Sequence, residues 1–361
     1  MEKKSTLKVR WGLLAACASL CLCIGLLATT AGCKQDGAST GKTLYFYTWA
    51  DYIDPETVNA FEEKFQCRVQ IDNFESNEAM LAKVKSSNSG YDVILPTTYM
   101  IEVMQRDGLI QKLDASKIPN VKEIDPMVAK LTGDEKFEYS VPYYCGITGL
   151  GYNAEKLGTA PDSWRIYENE QFQGRMTLLE DYREVFASAL LTLGYDINTT
   201  DDKQLAEARD LLIQWKKNIK KFGVDDVKQG LQNGEFFVVH GYSGDMLQFT
   251  LEDENIQFAI PREGAVVSYD HFVIPSNAAA PELAHEFINF MCDPENARKN
   301  IEATQYLIPI PKAMASVSED LKKSSIFRMT SEDFAKFSVI KDLGAENAKY
   351  SKMWDEVKAA R

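Results

Sequence analysis

Aromatic side chains stand beside carboxylates at several points along this chain. The run Trp49-Ala50-Asp51-Tyr52 combines two rings with one acid, and the run Glu180-Asp181-Tyr182-Arg183-Glu184 combines one ring with three acids. Carboxylates accept strong hydrogen bonds from ammonium groups, and the π faces of aromatic rings attract cations. Rings also pack against methylene groups, so the pattern predicts a site for an organic cation that carries a carbon chain.

Three further runs show a related combination. They are Thr97-Thr98-Tyr99, Gly241-Tyr242-Ser243 and Ser268-Tyr269-Asp270, of which only the third has an acidic residue. Plain structural explanations exist, because Asp181 and Glu184 would favour a helix N-terminus. Trp49 or Tyr52 could equally lie in a core. What favours a binding site is that these runs all follow predicted strands.

Alternating strand and helix patterns separate these runs. Strands are predicted at 43–49, 67–74 and 92–95, and helices at about 55–65, 76–85 and 99–106. The pair Asp54-Pro55 is typical of a helix start, with an N-cap followed by proline at the first helical position. This order predicts parallel strands with right-handed crossovers, and hence an α/β sheet covered by helices. Ligands of such sheets bind beyond the carboxyl ends of the strands.

The same pattern begins again after residue 152, now with longer helices. Strands are predicted at 175–179, 236–240, 255–260 and 266–274, helices at 184–193 and 201–222, and a largely helical tail from Pro281. A chain of 361 residues is long enough for about two domains. We therefore expect two α/β lobes.

Composition and charge exclude several classes of function. The chain has a net charge of -13 and a pI near 4.9, which argues against binding of a nucleic-acid backbone, because such binding needs a basic face. Its three histidines show no metal-ligand spacing, and no complete phosphate loop or nucleophile elbow occurs. Gly149-x-Gly151-x-x-Ala154 has dinucleotide spacing, but its glycines lie in an extended segment and Pro161 follows where a helix is needed. No cofactor, metal site or catalytic activity is therefore predicted. Cys67, Cys145 and Cys292 lie in apolar stretches and are expected to be buried free thiols.

The N-terminal segment has the character of an export signal. Basic residues precede the uncharged run Trp11–Leu27, and the small residues before Cys33 resemble a bacterial lipobox. Residues 1–32 are therefore predicted to be a signal peptide, Cys33 to be lipidated, and residues 33–42 to be a flexible tether. An uncleaved anchor and plain secretion stay open as alternatives.

Six longer motifs run through the mature chain in one order. They are LYFYTWADY (44–52), ESNEAMLAKVK (75–85), ILPTTYM (94–100), VPYYCGITGLGYN (141–153), LLEDYREVFASALLTLGYDINTTD (178–201) and YDHFVIPSNA (269–278). They resemble the periplasmic spermidine/putrescine-binding proteins of polyamine ABC importers, and the similarity extends from about Leu44 to Arg361. The resemblance implies an α/β, two-lobed type II periplasmic-binding-protein fold with a ligand cleft between two mostly parallel sheets. Lobe 1 would comprise 43–147 plus 271–315, and lobe 2 would comprise 148–270 plus 316–361.

The resemblance also implies a set of ligand-binding residues. Aromatic and hydroxyl contacts would come from Trp49, Tyr52, Thr97, Tyr99, Tyr242 and Tyr306, and acidic contacts to amines from Asp51, Asp181, Glu184 and Asp270. Tyr269, beside Asp270, is a further candidate for the ring wall. Two positions depart from the family, because Ser268 replaces an aromatic residue and Ile340 replaces a glutamine. The choice between putrescine and spermidine therefore stays open.

The implied function is capture of a polyamine without chemical change and its delivery to the membrane permease of an ABC importer. We expect a periplasmic monomer that a lipid anchor holds at a membrane after export. Three alternatives stay open. One is a binder of ferric ion, through Tyr143-Tyr144, or of another cationic solute; the second is an enzyme with Asp181 and Glu184 as an acid/base pair. The third is a polyamine-sensing receptor without a transport role.

Overall fold

The computed structural model describes residues 41–86, 89–223 and 226–360. Gly41–Arg361 form one compact unit. The predicted signal peptide (1–32), the lipid site Cys33 and the tether up to residue 40 lie outside the described residues. Within the described ranges, no helix has the length and apolar character required to cross a membrane.

Strands and helices alternate through most of this unit. The strands are β1 (Thr43–Thr48), β2 (Arg68–Asn73), β3 (Val93–Ile94), β4 (Val141–Asn153), β5 (Met176–Leu178), β6 (Ile219–Phe222), β7 (Val238–Tyr242), β8 (Ile256–Ala259) and β9 (Val267–Phe272). The helices are α1 (Pro55–Phe65), α2 (Asn77–Lys85), α3 (Thr98–Arg106), α4 (Pro126–Leu131), α5 (Ala154–Leu157), α6 (Tyr182–Leu193), α7 (Asp202–Lys216), α8 (Asp226–Gln232), α9 (Ser243–Glu252), α10 (Pro281–Met291), α11 (Pro294–Thr304), α12 (Pro311–Ala315), α13 (Glu319–Lys323), α14 (Ser331–Phe334) and α15 (Asn347–Ala359).

The first sheet has the strand order β2-β1-β3, with β1 parallel to both neighbours. A single antiparallel bridge between Ile94 and Val273 connects β3 to β9. The predicted helix start at Asp54 is confirmed, because its carboxylate accepts hydrogen bonds from the backbone N–H groups of Glu56 and Thr57. Such a cap satisfies donors that the first helical turn leaves free.

The second sheet has the order β6-β5-β7-β4-β8. Strand β5 is parallel to β6 and β7, whereas β4 is antiparallel to β7 and β8. The sheet is therefore mixed. The first half of β4, Val141–Ile147, pairs with β9, and its second half, Thr148–Asn153, pairs with β7 and β8. One long strand thus pairs with the second sheet and with β9, which the Ile94–Val273 bridge joins to the first sheet.

Two large hydrophobic cores accompany the two sheets. Phe46, Phe272 and Phe287 pack in the first, and Trp164, Tyr167 and Trp215 pack in the second. Within the predicted second-lobe segment 316–361, Leu321 and Phe327 belong to the first core, whereas Tyr350 and Trp354 belong to the second. The exact limits of the two lobes stay a prediction.

One predicted helix was too long. Helix α7 ends at Lys216, and Ile219–Phe222 forms β6, parallel to β5. The spacing of Ile219 and Phe222 also fits a helix. The chain departs from the helix at Asn218, whose buried side chain donates a hydrogen bond to the Tyr167 carbonyl at 3.0 Å. The exposed edge of β5 then gains the hydrogen-bonding partner that it needs. Helix α9 was not predicted at all.

The three mature cysteines follow their prediction. Cys67, Cys145 and Cys292 are all buried and free. Burial raises the pKa of each thiol, so none of them has the character of a reactive thiolate.

Candidate functional site

Three predicted site residues meet at the Asp270 carboxylate. Asp270 is 7% exposed, and its Oδ2 accepts a hydrogen bond from the Tyr52 hydroxyl at 2.6 Å. Its Oδ1 accepts from the Thr97 hydroxyl at 2.7 Å. Tyr52 follows β1, Thr97 follows β3 and Asp270 lies on β9, and isolated bridges between the β3 region and β9 bring these residues together.

Local backbone geometry positions the two donors. Asp51 has a φ of 52°, which lies in the left-handed region that aspartate tolerates better than most residues. The chain turns there, and Tyr52 follows on its way into α1. Thr97 is held by Asn77, whose Nδ2 donates to the Thr97 hydroxyl at 3.1 Å. The Thr97 backbone N–H in turn donates to Asn77 Oδ1 at 3.2 Å.

Tyrosine rings lie next to the Asp270 carboxylate. The Tyr52 ring centroid is 4.4 Å from that of Tyr144 and 4.7 Å from that of Tyr306. Tyr306 lies between two glycines: a β-carbon on Gly146 would be 3.5 Å from its ring, and one on Gly244 would collide with it. The absence of a side chain at Gly244 is therefore required for this ring position.

The second sheet contributes two acids at the start of α6. Asp181 caps the helix, because its Oδ1 accepts from Arg183 N at 2.9 Å and from Glu184 N at 3.3 Å. Glu184 is 4% exposed and accepts a hydrogen bond from the Thr148 hydroxyl at 2.9 Å. The capping role that the sequence offered for Asp181 is real, and it leaves its second carboxylate oxygen available for another contact.

Burial makes the carboxylates of this site costly to ionise. Burial raises the pKa of Glu184 to about 8, with a further rise from the negative charge of Asp181. Burial also raises the pKa of Asp270 to about 6, although the hydrogen bonds from Tyr52 and Thr97 oppose that rise. The pKa of Asp181 is raised mainly for the same reason. A bound cation would lower all three pKa values.

The nearby guanidinium of Arg183 does not pair with these acids. It donates instead to the Lys341 carbonyl at 3.2 Å, to Asn347 at 2.7 Å and to Asn198 at 3.0 Å. Within the ranges described above, no ion pair includes Asp181, Glu184 or Asp270. The site is therefore short of positive charge.

Tyr242 and Tyr306 connect the two groups of acids. Burial raises the pKa of Tyr242 well above its usual value, and Asp181, Glu184 and Tyr306 raise it further. Burial likewise raises the pKa of Tyr306, with further contributions from Asp245 and Asp270. Tyr242 is thus close enough to Asp181 and Glu184 to feel their charge, and Tyr306 is close enough to Asp245 and Asp270.

Asp245 is a residue of this site that the sequence analysis did not find. It lies in the first turn of α9 and forms a side-chain hydrogen bond with Tyr306. The sequence signal that could have indicated Asp245 was its position three residues after Tyr242, at the end of β7. It went unused because α9 was not predicted.

The other predicted residues lie at varying distances from this centre. Tyr269 is 1% exposed and neighbours Asp270 on β9, so its side chain points to the opposite face of the strand and packs in the first core. The Trp49 ring is half-buried against Phe74, with ring centroids 4.4 Å apart. Asp51 is exposed. The structure does not bring Tyr269 to the face that carries Asp270.

The two residues that differ from the family pattern, Ser268 and Ile340, both lie near the cleft. The Ser268 hydroxyl would lie 3.6 Å from a β-carbon on Gly146, close to the Tyr306 ring. Ile340 is 9% exposed and packs with Ala187, beside the half-buried ring of Tyr99. An apolar side chain therefore occupies the place at which the resemblance implied a glutamine.

Tyr143 and Tyr144 do not have the character of metal ligands. Both are fully buried, and burial raises the pKa of each hydroxyl, whereas a ferric site requires tyrosinate. The Tyr143 hydroxyl donates to the Met291 sulfur at 4.0 Å in the first core. In the described part of the chain, no group of three His, Cys, Asp or Glu side chains could hold a metal ion.

Two sheets connected through the long strand β4 and its partner β9, with acids and rings beside both, define the two-lobed type II solute-binding fold. The family model of the bacterial extracellular solute-binding proteins matches residues 56–328. The chain belongs to this family.

Similar proteins are known by sequence and by structure. The putrescine/cadaverine-binding protein of Pseudomonas aeruginosa is 32% identical over 348 residues, covering 92% of this chain and 98% of the relative. The spermidine/putrescine-binding periplasmic protein of Escherichia coli is 31% identical over 336 residues, with coverage of 92% and 97%. The spermidine/putrescine ABC transporter substrate-binding protein of Streptococcus pneumoniae superimposes with a TM-score of 0.79 at 32% identity, covering 88% of this chain and 99% of that one.

Proposed function

We propose that this protein captures a polyamine between its two lobes and delivers it to the permease of an ABC importer. One observation carries the proposal: Asp270 on β9 and Glu184 on α6 are buried carboxylates without a cationic partner among the described residues. Burying such charges is costly unless a cation pairs with them. The relatives, which are named for binding putrescine, cadaverine or spermidine, support an organic polycation as that partner.

The ammonium groups and the carbon chain of the ligand would be bound by different parts of the site. One ammonium donates to Asp270, whose lone pairs are already oriented by Tyr52 and Thr97. Another is bound near Glu184 and Asp181. The methylene groups pack against the tyrosine rings between these acids. A micromolar dissociation constant requires about -8 kcal/mol, and two charge-assisted hydrogen bonds of about 1.5–3 kcal/mol each supply a large part of it.

Binding would couple to closure of the two lobes. The ligand contacts both sheets at once in the closed form and one of them in the open form, so it shifts the equilibrium towards closure. The closed form then presents surfaces of both lobes to the permease. The ligand leaves unchanged, and Asp181 and Glu184 act as charge partners rather than as catalytic acids or bases.

The proposed location follows from the leader sequence. Export, cleavage before Cys33 and lipidation of that cysteine would place a monomeric binding unit in the periplasm, anchored to a membrane through residues 33–42. Some of the relatives are periplasmic binding proteins. Mass spectrometry of the N-terminal peptide from cells tests the lipid on Cys33.

Isothermal titration calorimetry of the full chain in detergent tests the function. We expect one site for putrescine, cadaverine, spermidine or spermine, with at least micromolar affinity. Asp270→Asn should weaken binding at least about thirtyfold, because it keeps the shape but removes the charge. The control Glu102→Gln neutralises an exposed acid on α3 and should leave the affinity unchanged. Equal affinity of Asp270→Asn and the control would contradict the proposed site.

A further inference from the structure

His271 is a buried histidine on β9 that the proposed binding mechanism does not use. Its side chain is 0% exposed, and it follows Asp270 directly in the chain. Neighbouring residues of a strand point to opposite faces, so the imidazole lies on the opposite face of β9 from the Asp270 carboxylate. The His271 backbone N–H donates to the Pro96 carbonyl at 2.8 Å, which places the turn between β3 and α3 against this strand.

The two threonines of this turn contact β9 on both of its faces. The Thr97 hydroxyl donates to Asp270 Oδ1 at 2.7 Å on one face. On the other, the Thr98 hydroxyl lies 3.1 Å from His271 Nε2, and it donates to the Tyr269 carbonyl at 3.1 Å. Thr97 is the N-cap residue of α3, yet its side chain makes no capping hydrogen bond. Its hydroxyl hydrogen is therefore committed to the carboxylate.

One tautomer of His271 satisfies all of its side-chain contacts. A carbonyl oxygen only accepts, so the single hydroxyl hydrogen of Thr98 points to Tyr269, and the Thr98 oxygen accepts from Nε2–H of His271. Nδ1 then carries a lone pair, which accepts from the Ser140 hydroxyl at 3.1 Å. Burial lowers the pKa of His271 to about 3, so the imidazole is neutral at pH 7. The histidine thus links the residue before β4 to the start of α3.

The position of the Thr97 hydroxyl affects how Asp270 meets a cation. Burial raises the pKa of Asp270, and the hydrogen bonds from Tyr52 and Thr97 oppose that rise. Asn77 holds Thr97 from the side of α2, through contacts of 3.1 and 3.2 Å. His271 holds the next residue of the same turn from the side of β9. Without this histidine, the turn would lose a side-chain anchor on the strand that carries the carboxylate.

We propose that His271 is a positioning residue of the ammonium site. Its Nε2–H anchors the turn at Thr98 and thereby keeps the Thr97 hydroxyl on the carboxylate of Asp270. The proposal rests on the proposed function. His271 itself does not touch the ligand, because its ring lies on the far face of β9. A donor at the position of Nε2 is therefore what the site requires, and not an imidazole as such.

Two amide variants separate the two side-chain hydrogen bonds of His271. The amide nitrogen of glutamine is as many bonds from Cα as Nε2 is, so His271→Gln keeps a donor to Thr98. The shorter His271→Asn reaches only the position of Nδ1, beside Ser140. Titration calorimetry of the full chain in detergent compares them with putrescine and spermidine. We expect both dissociation constants to rise about tenfold in His271→Asn and less than about threefold in His271→Gln.

His285→Asn is the matched control for loss of a buried histidine. His285 is 5% exposed, accepts from the Asp114 backbone N–H at 3.0 Å and makes a second contact with the Pro281 carbonyl at 2.6 Å. It holds α10 rather than the turn before α3. Its replacement should lower the melting temperature and leave both dissociation constants unchanged. A loss of affinity as large as in His271→Asn would mean that general destabilisation causes the effect, and the inference would be wrong.

A double-mutant cycle with Thr97→Val tests whether His271 acts through this turn. Thr97→Val removes the hydroxyl that His271 is proposed to position. Adding His271→Asn should then weaken binding less than about twofold further, because the affected contact is already absent. A further loss of about tenfold in that background, or equal losses in His271→Asn and His271→Gln, would overturn the inference. If the unaltered protein bound neither amine, the proposed function itself would fail, whereas binding that depends on Asp270 but not on His271 refutes this inference alone.

Discussion

At the residue scale, the site is built from acids that the protein itself does not neutralise. Many carboxylates on the surface of this chain have a lysine or arginine beside them, such as Glu138 with Lys112 at 3.0 Å. Glu184 and Asp270 instead accept hydrogen bonds from neutral hydroxyls. Hydroxyl donors orient a carboxylate without cancelling its charge, so the attraction for an external cation is preserved.

Ligand binding should release protons. In the ligand-free protein Glu184 has a pKa of about 8 and Asp270 a pKa of about 6, so at pH 7 Glu184 is mostly protonated. A cation favours the ionised form, and the affinity should therefore rise as the pH increases from 5 to 8. Calorimetry at pH 7 in phosphate and in Tris should give different apparent enthalpies, with nearly one proton released.

The variant Glu184→Gln is the control for proton release. It removes the group that titrates near pH 8, so the apparent enthalpy at pH 7 should become almost independent of the buffer. An affinity that stayed constant between pH 5 and pH 8 in the unaltered protein would contradict the raised pKa values.

At the element scale, helix starts that follow strands place the functional side chains. Thr97 precedes α3, Asp181 precedes α6, and α9 begins directly after Tyr242. Each chain segment leaves its sheet at the carboxyl end of a strand and turns into a helix there, as expected for α/β folds. The start of α9 also has to pass close to Tyr306, which Gly244 allows.

Gly244→Ala should weaken polyamine binding. The added methyl group collides with the Tyr306 ring, which must move away from Tyr52 or force α9 to shift. Such overpacking costs about 1–3 kcal/mol, and we expect a loss of affinity of roughly tenfold in calorimetry. Gly146→Ala is the matched control, because its β-carbon would make an ordinary 3.5 Å contact with the same ring. Equal affinities of the two variants would show that the Tyr306 position is unimportant.

At the scale of the whole molecule, the two sheets are connected by β4 and by contacts farther along the chain. Arg106, at the end of α3, forms an ion pair with Asp342. Asp342 also accepts a hydrogen bond from Asn347 of α15, which packs in the second core. Burial alone would raise the pKa of Asp342, but the hydrogen bonds from Arg106, Gly344 and Asn347 and the charge of Arg106 together outweigh it, and the pKa is lowered. This ion pair therefore joins elements of both halves.

Arg106→Gln should accelerate ligand release. Loss of an ion pair between the two halves destabilises the closed form relative to the open one, and partly exposed pairs contribute about 0.2–1 kcal/mol. We expect the dissociation rate of spermidine, followed by stopped-flow tryptophan fluorescence, to rise about twofold to fivefold. Lys85→Gln, which breaks a pair with Asp107 on neighbouring helices of the first sheet, is the control. Identical rates in the two variants would argue against a role of Arg106 in closure.

The sequence by itself determined the local structure and the type of chemistry. The caps at Asp54, Ser76 and Asp181, and the strands before the aromatic and acidic runs, could all be predicted, because capping and strand patterns depend on neighbours in the chain. The second sheet was harder to predict from the sequence. The helical spacing of Ile219 and Phe222 was ambiguous, and the free edge of β5 decided in favour of a strand.

Tertiary structure alone decided which side chains meet. Tyr52 and Asp270 are 218 residues apart, and no local pattern indicates their hydrogen bond. The face of β9 separates Asp270 from Tyr269, and the packing of α9 brings Asp245 to Tyr306. The raised pKa of Glu184 is likewise a product of burial. Contacts between distant segments, and the dielectric that they create, exist only once both sheets have formed, which is why the charge-binding strength of this cleft is a property of the fold.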